Sequence, residues 1–127
     1  MSTLIIDSNN IAYKNLFSQM NPEEDHDFSL WRHKFLSNII DIMVEFSPTE
    51  IIMAIDAKNS WRYDIYPHYK SKRKEFKEDS KVDFEKFYPV FDEFIKDIKK
   101  YFTSFKVIQI DRVEGDDIIA ILSKHIN

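Results

Sequence analysis

The sequence of 127 residues has no cysteine and a single glycine, and each scarcity removes a class of function. Without cysteine there is neither a disulfide framework nor a thiolate zinc site, and nothing points to an oxidising compartment. With Gly115 as the only glycine, a glycine-rich phosphate loop is excluded. No apolar run approaches the length of a membrane span, and MSTLIIDSNN lacks the basic start and apolar stretch of a signal peptide. A soluble, cytoplasmic protein with no membrane partner is therefore expected, and the length suits one domain with a respectable core.

What the sequence does have is charge, unevenly placed. The formal net charge of −4 argues at first against a nucleic-acid partner. Residues 70 to 77, however, carry five basic groups, Lys70, Lys72, Arg73, Lys74 and Lys77, against the single acid Glu75. The remainder holds 13 basic and 21 acidic residues. A cationic strip on an acidic body can bind a phosphate backbone while the body binds divalent metal. On charge alone a solvated helical face is the commoner explanation of such a strip.

Apolar runs alternate with helical patterns along the chain. Thr3 to Ile6 is a short β-branched strand ending at Asp7, and Ile51 to Ile55 is a strand of the fully buried kind ending at Asp56. Phe105 to Ile110 is a third strand, ending at Asp111. Between them, Leu30, Trp31, Phe35, Ile39, Ile42, Met43 and Phe46 follow helical spacing behind a cap at Asp27 or Ser29, and Ser47-Pro48 stops that helix. Phe84, Phe87, Phe91, Phe94, Ile95, Ile98 and Phe102 form a second stripe, in which Pro89 marks a kink or the true start. Both stripes read as core. A last helix runs from Gly115 to Ile126. This order predicts an α/β fold, a three-layer α/β/α arrangement around a mostly parallel central sheet.

In such sheets the functional crevice lies beyond the carboxyl ends of the strands, where Asp7, Asp56 and Asp111 fall. Glu114, Asp116 and Asp117 open the last helix near the same rim. Acids gathered there repel one another unless a cation joins them. An all-carboxylate donor set favours a hard ion, so magnesium or manganese fits better than zinc. Taken singly, each acid has an ordinary explanation: turn chemistry for Asp7 and Asp56, capping or the helix dipole for Asp116 and Asp117. Which of Asp116 and Asp117 points inward stays open, since consecutive helical residues diverge by about 100°. The four histidines show no ligand spacing.

LIIDSN around Asp7, IIMAIDAKNSWR around Asp56, YPHYKSKRK after it and VEGDDIIA near the end resemble, in order and spacing, the first half of the flap endonuclease and 5′-3′ exonuclease family. The chain most resembles the ribonuclease H-type 5′-nucleases of large tailed phages. The resemblance implies a PIN-like fold over residues 1–127, incomplete, with a basic arch segment around 66–83. It further implies that Asp7, Asp56, Glu114, Asp116 and Asp117 bind metal, and that Tyr69, Lys70 and Arg73 match a Tyr-Lys-x-x-Arg signature meeting a base and the phosphate near the scissile bond. Lys70 and Arg73 would then aid catalysis. Arg62 falls on a position that the family often keeps basic, and Arg62, Tyr69, Lys70, Lys72, Arg73, Lys74 and Lys77 together would bind nucleic acid. For Tyr69, Tyr66 and Trp61 the alternative is packing beneath the arch.

In that family a further strand ending in paired aspartates, and a helical motif holding duplex DNA, follow the acidic helix; this sequence stops at Asn127. A fragment, a second polypeptide supplying the C-terminal half, or a fold kept without full catalysis are the three accounts of that. An intact site would hydrolyse phosphodiesters with two magnesium or manganese ions roughly 4 Å apart. The implied partner is DNA or an RNA–DNA hybrid with a 5′ flap or free 5′ end, met in replication, in a host cytoplasm if the protein is phage-encoded. Two other readings stay in play: a small PIN-type ribonuclease, and a non-catalytic nucleic-acid-binding module.

Overall fold

A computed structural model describes residues 2–18, 27–69 and 82–125. In chain order the elements are β1 (Thr3–Asp7), α1 (Ser8–Phe17), α2 (Ser29–Phe46), β2 (Glu50–Ile55), α3 (Arg62–Ile65), α4 (Phe84–Tyr101), β3 (Phe105–Gln109) and α5 (Gly115–His125). They divide into two compact units, each assembled from separated stretches of chain: Met1–Asn10, Pro48–Tyr69 and Thr103–Asn127 in one, Ile11–Ser47 and Lys70–Phe102 in the other.

The first unit is built on a parallel sheet of three strands in the order β1-β2-β3, the α/β arrangement that the alternating pattern predicts. Thr3 aligns with Glu50 and Asp7 with Ala54 on one side of β2, while Ile51 aligns with Phe105 and Ile55 with Gln109 on the other. Ile51 to Ile55 are all buried, as a central parallel strand covered on both faces requires. α5 contacts β1 and β2, and its Ile118 is buried. Asp7 is the last residue of β1 and Asp56 directly follows β2, so the two acids leave the sheet at the same edge.

The second unit is helical and its core is aromatic. Trp31 and Phe35 of α2 and Phe87, Phe91 and Phe94 of α4 are all buried. The Trp31 ring lies 4.9 Å from that of Phe87 at 90° and 5.4 Å from that of Phe94 at 67°. Edge-to-face pairs of this kind add roughly 0.5–1.5 kcal/mol beyond the area they bury. The indole N–H of Trp31 donates to the carbonyl of Ala12 at 2.9 Å, so the one polar group of that ring is satisfied.

Local chemistry explains where the helices depart from the sequence reading. α1 is not anticipated at all, because Ser8, Asn9 and Asn10 favour turns and compete with the helical backbone for hydrogen bonds. α2 is entered through Phe28 in the left-handed region at φ 58°, and it is Asp27 rather than Ser29 that accepts, from the Ser29 N–H at 3.1 Å. Ser47 closes α2, also left-handed at φ 45°, its N–H donating to the Met43 carbonyl. α4 starts at Phe84, capped by the Asp83 carboxylate on the Lys86 N–H at 3.2 Å, so Pro89 lies inside the helix and is not its start. Leu30 and Phe46, at opposite ends of the α2 stripe, are exposed, whereas Trp31, Phe35 and Ile39 are buried.

Candidate metal and nucleic-acid site

The carboxyl edge of the sheet gathers acids from three elements. Asp7 is half-buried, and its Oδ1 accepts from the Asn10 N–H at 3.3 Å in the first turn of α1. Burial pushes its carboxyl above the usual value of 3.8, against the lowering effect of Asn10, and the nearby carboxylates of Asp116 and Asp56 push the same way. Of the Asp116-Asp117 pair it is therefore Asp116, itself exposed, whose charge acts on Asp7.

Asp56 is fixed by three separate stretches of chain. Its N–H donates to Asn9 Oδ1 at 2.8 Å, its carbonyl accepts from Gln109 Nε2 at 3.0 Å, and its Oδ1 accepts from the Gly115 N–H. The loops after β2 and β3 are laced together by main-chain bonds, Ala57 N–H to the Val113 carbonyl at 3.0 Å and Trp61 N–H to the Arg112 carbonyl at 2.9 Å. Gly115 needs no positive φ. What it supplies is space, because a Cβ there would stand 2.8 Å from Asp56 Oδ1.

The other two acids are engaged differently. Asp117 Oδ2 accepts from the Glu114 N–H at 3.4 Å while the Asp117 N–H donates to the Glu114 carbonyl at 3.1 Å, so Asp117 reaches back over the start of α5 as the third residue of a capping box does. Arg62, at the start of α3, sets its fork on Asp117, with Nη1 to Oδ2 at 2.7 Å and Nη2 to Oδ1 at 2.6 Å, and Nη1 also donates to Glu114 Oε2. That contact holds the Asp117 carboxyl below the usual range and pushes the Arg62 guanidinium up. Glu114 is buried, and the Tyr69 hydroxyl lies 3.3 Å from both of its carboxylate oxygens. The guanidinium is flanked by rings, 4.5 Å from the Trp61 centroid and 5.9 Å from that of Tyr69.

Of the nucleic-acid residues expected from the sequence, Arg62 and Tyr69 are thus placed beside the acids, while Lys70, Lys72, Arg73, Lys74 and Lys77 lie outside the described residues. Trp61 and Tyr66 are exposed, at 40% and 61%, so neither is packed away. Asp111 is exposed in the turn after β3. Among the described residues, no group of three or more His, Cys, Asp or Glu side chains forms a ready-made metal ligand set. The donor chemistry nonetheless suits a hard divalent ion, since Asp7, Asp56 and Asp116 offer carboxylate oxygens only, and the strain on Asp7 is of the sign a cation relieves.

Asn9, Gln109 and Gly115 escape the sequence reading, yet all three hold Asp56. The one available signal is Gly115 itself: a lone glycine in a first helical turn, where no special backbone angle is needed, marks a close approach of another group.

The profile of the 5′-3′ exonuclease N-terminal resolvase-like domain matches residues 2–127. Ribonuclease H of Enterobacteria phage T4 is 30% identical over 125 residues, covering 94% of this chain and 41% of that protein. The bacteriophage T5 D15 flap endonuclease, solved as a pseudo-enzyme–product complex with DNA and metal ions, superposes with a TM-score of 0.66 at 23% identity, over 98% of this chain and 44% of that one. T5 5′-exonuclease with bound zinc gives a TM-score of 0.63 at 22% identity, over 96% of this chain and 44% of that one. The chain spans less than half the length of these relatives. At such identities the two structures establish a shared fold, and it is the profile that establishes kinship: the chain belongs to the 5′-3′ exonuclease family, whose N-terminal resolvase-like domain it carries.

Proposed function

We propose that the chain serves a metal-dependent 5′-nuclease that hydrolyses phosphodiesters at 5′ flaps or free 5′ ends, in DNA or in RNA–DNA hybrids, during replication in a host cytoplasm. The observation that carries this reading is that Asp7, at the carboxyl end of β1, is acted on by Asp56 just beyond β2 and by Asp116 in the first turn of α5. The metal ions and DNA of the T5 structures, and the ribonuclease H name of the T4 relative, support it.

The ion-binding acids are drawn from Asp7, Asp56, Glu114, Asp116 and Asp117, and of these Asp56 and Asp116 both act on Asp7. When bound, magnesium or manganese, two ions in a complete site, supplies an activated water and a charge partner for the leaving oxygen. Lys70 and Arg73 neutralise charge on the transferred phosphate, and Lys72, Lys74 and Lys77 hold the backbone by charge alone. Tyr69, with its hydroxyl on Glu114, presents a ring on which an unpaired base can stack, a contact worth about 1–3 kcal/mol.

The test offers this chain a labelled 5′-flap duplex, an RNA–DNA hybrid and a single-stranded RNA, each with and without magnesium, beside Asp56→Asn. Magnesium-dependent cutting of the flap or hybrid that disappears in Asp56→Asn supports the proposal. Preferential cutting of the single-stranded RNA would favour a small PIN-type ribonuclease. Salt-sensitive flap binding, weakened by Lys70→Ala and Arg73→Ala, without any metal-dependent cut would favour a binding module.

A further inference from the structure

Arg62 stands in the middle of the acid-rich rim, and its contacts divide the acids into two sets. Asp117 receives both arms of the guanidinium and Glu114 a third contact, while Asp56 and Asp116 each act on Asp7. The fork is held in place on every side: Trp61 lies against its face, the Trp61 N–H is tied to the Arg112 carbonyl, and the Arg62 N–H donates to the buried Ser60 hydroxyl at 3.3 Å. A surface arginine attracted only by nearby charge would need none of this. Moreover, Asp117 already serves the start of α5 through the Glu114 N–H. Holding Asp117 against Arg62 fixes the rotation of that first turn and leaves the exposed Asp116, one position earlier, to act on Asp7.

We infer that Arg62 is a positioning residue: by clamping Asp117 and Glu114 it keeps both from direct ion coordination and sets the turn of α5 so that Asp116 joins Asp7 and Asp56. The inference rests on the metal-site reading above and assigns roles within it. It runs against simple electrostatics. A cation 2.6 Å from one of five neighbouring carboxylates should repel a divalent ion, so its removal should tighten ion binding if charge were its only effect. A clamp predicts the opposite, because groups that orient ligands typically contribute about ten- to hundredfold in metal affinity.

Manganese binding measured by electron paramagnetic resonance on the intact chain separates these cases without reference to cleavage, with circular dichroism confirming that each variant folds. Arg62→Gln is expected to weaken manganese binding about tenfold. Arg62→Lys, which keeps the charge but loses the two-armed geometry, is expected to resemble Arg62→Gln more than the parent. Asp117→Asn breaks the same clamp from its other side and should weaken binding about as much as Arg62→Gln, with no further loss when the two are combined, while Asp116→Asn weakens it at least tenfold. Tighter binding in Arg62→Gln, or full restoration by Arg62→Lys, would overturn the positioning role. So would losses from Arg62→Gln and Asp117→Asn that add in the double variant, with the metal site itself intact. If Asp7→Asn, Asp56→Asn and Asp116→Asn all bind manganese as the parent does, the site reading fails and this inference falls with it. Should Arg62→Gln not fold, Arg62→Lys and Asp117→Asn carry the decision.

Discussion

In the helical unit Trp31, Phe35, Phe87 and Phe94 meet ring to ring at 4.9–5.5 Å, with one indole N–H as the polar exception. At the edge of the sheet unit the comparable crowding involves Asp7, Asp56, Glu114, Asp116, Asp117 and Arg62, held by main-chain donors and one guanidinium. Aromatic packing lowers the free energy of the fold directly. The acid cluster does so only in part, since Asp117 is favoured by Arg62 while Asp7 is strained by burial and by its neighbours. One unit is built for stability, and the other retains a local disadvantage that a ligand can remove.

That contrast can be broken in four ways. Trp31→Ala should cost about 3–5 kcal/mol in urea denaturation, because a buried ring and its edge-to-face partners are lost together. Asp56→Asn should lower magnesium-dependent cleavage of a 5′ flap by ~10²-fold or more, near 2.7 kcal/mol in the barrier, while shifting the urea midpoint far less than Trp31→Ala. A comparable loss of stability from both would erase the distinction between the units.

The third prediction concerns pH. The native Asp7 carboxyl titrates above 3.8, so the folded chain binds that proton more tightly than the unfolded chain. The penalty is absent below the unfolded value and complete once the pH passes the native one. In chelator-treated protein Asp7→Asn should therefore raise the urea midpoint at neutral pH, with the gain fading as the pH falls toward 3.8. Asp117 runs the other way: its contribution is present above 3.8 and is lost as the pH falls through its depressed native value. The smallest effect is expected from Gly115→Ala. Its methyl group would displace the Asp56 carboxylate, weakening manganese binding about tenfold, with little change in the urea midpoint because alanine suits a helix better.

The strands and the acids at their ends were legible because a central parallel strand must be apolar along its whole length, and Asp56 follows the run Ile51–Ile55 without a gap. The aromatic stripes were legible for a similar reason, their spacing matching one face of a helix. Helix α1 was not, since Ser8, Asn9 and Asn10 carry no apolar period, and two of them are recruited to the site, Asn9 to the Asp56 N–H and Asn10 to Asp7. Local sequence also could not separate Asp116 from Asp117. What separates them is Arg62, 55 residues away from Asp117, and a contact at that range leaves no periodic trace. The basic strip stayed as the sequence left it, a proposal about Lys70, Lys72, Arg73, Lys74 and Lys77.

The most direct test of the acid cluster is a crystal of this chain grown with manganese and measured at an energy where the metal scatters anomalously. The account predicts a peak at about 2.0–2.2 Å from carboxylate oxygens of Asp7, Asp56 and Asp116, with Asp117 still on Arg62. Manganese held elsewhere, with those three carboxylates turned apart, would contradict it.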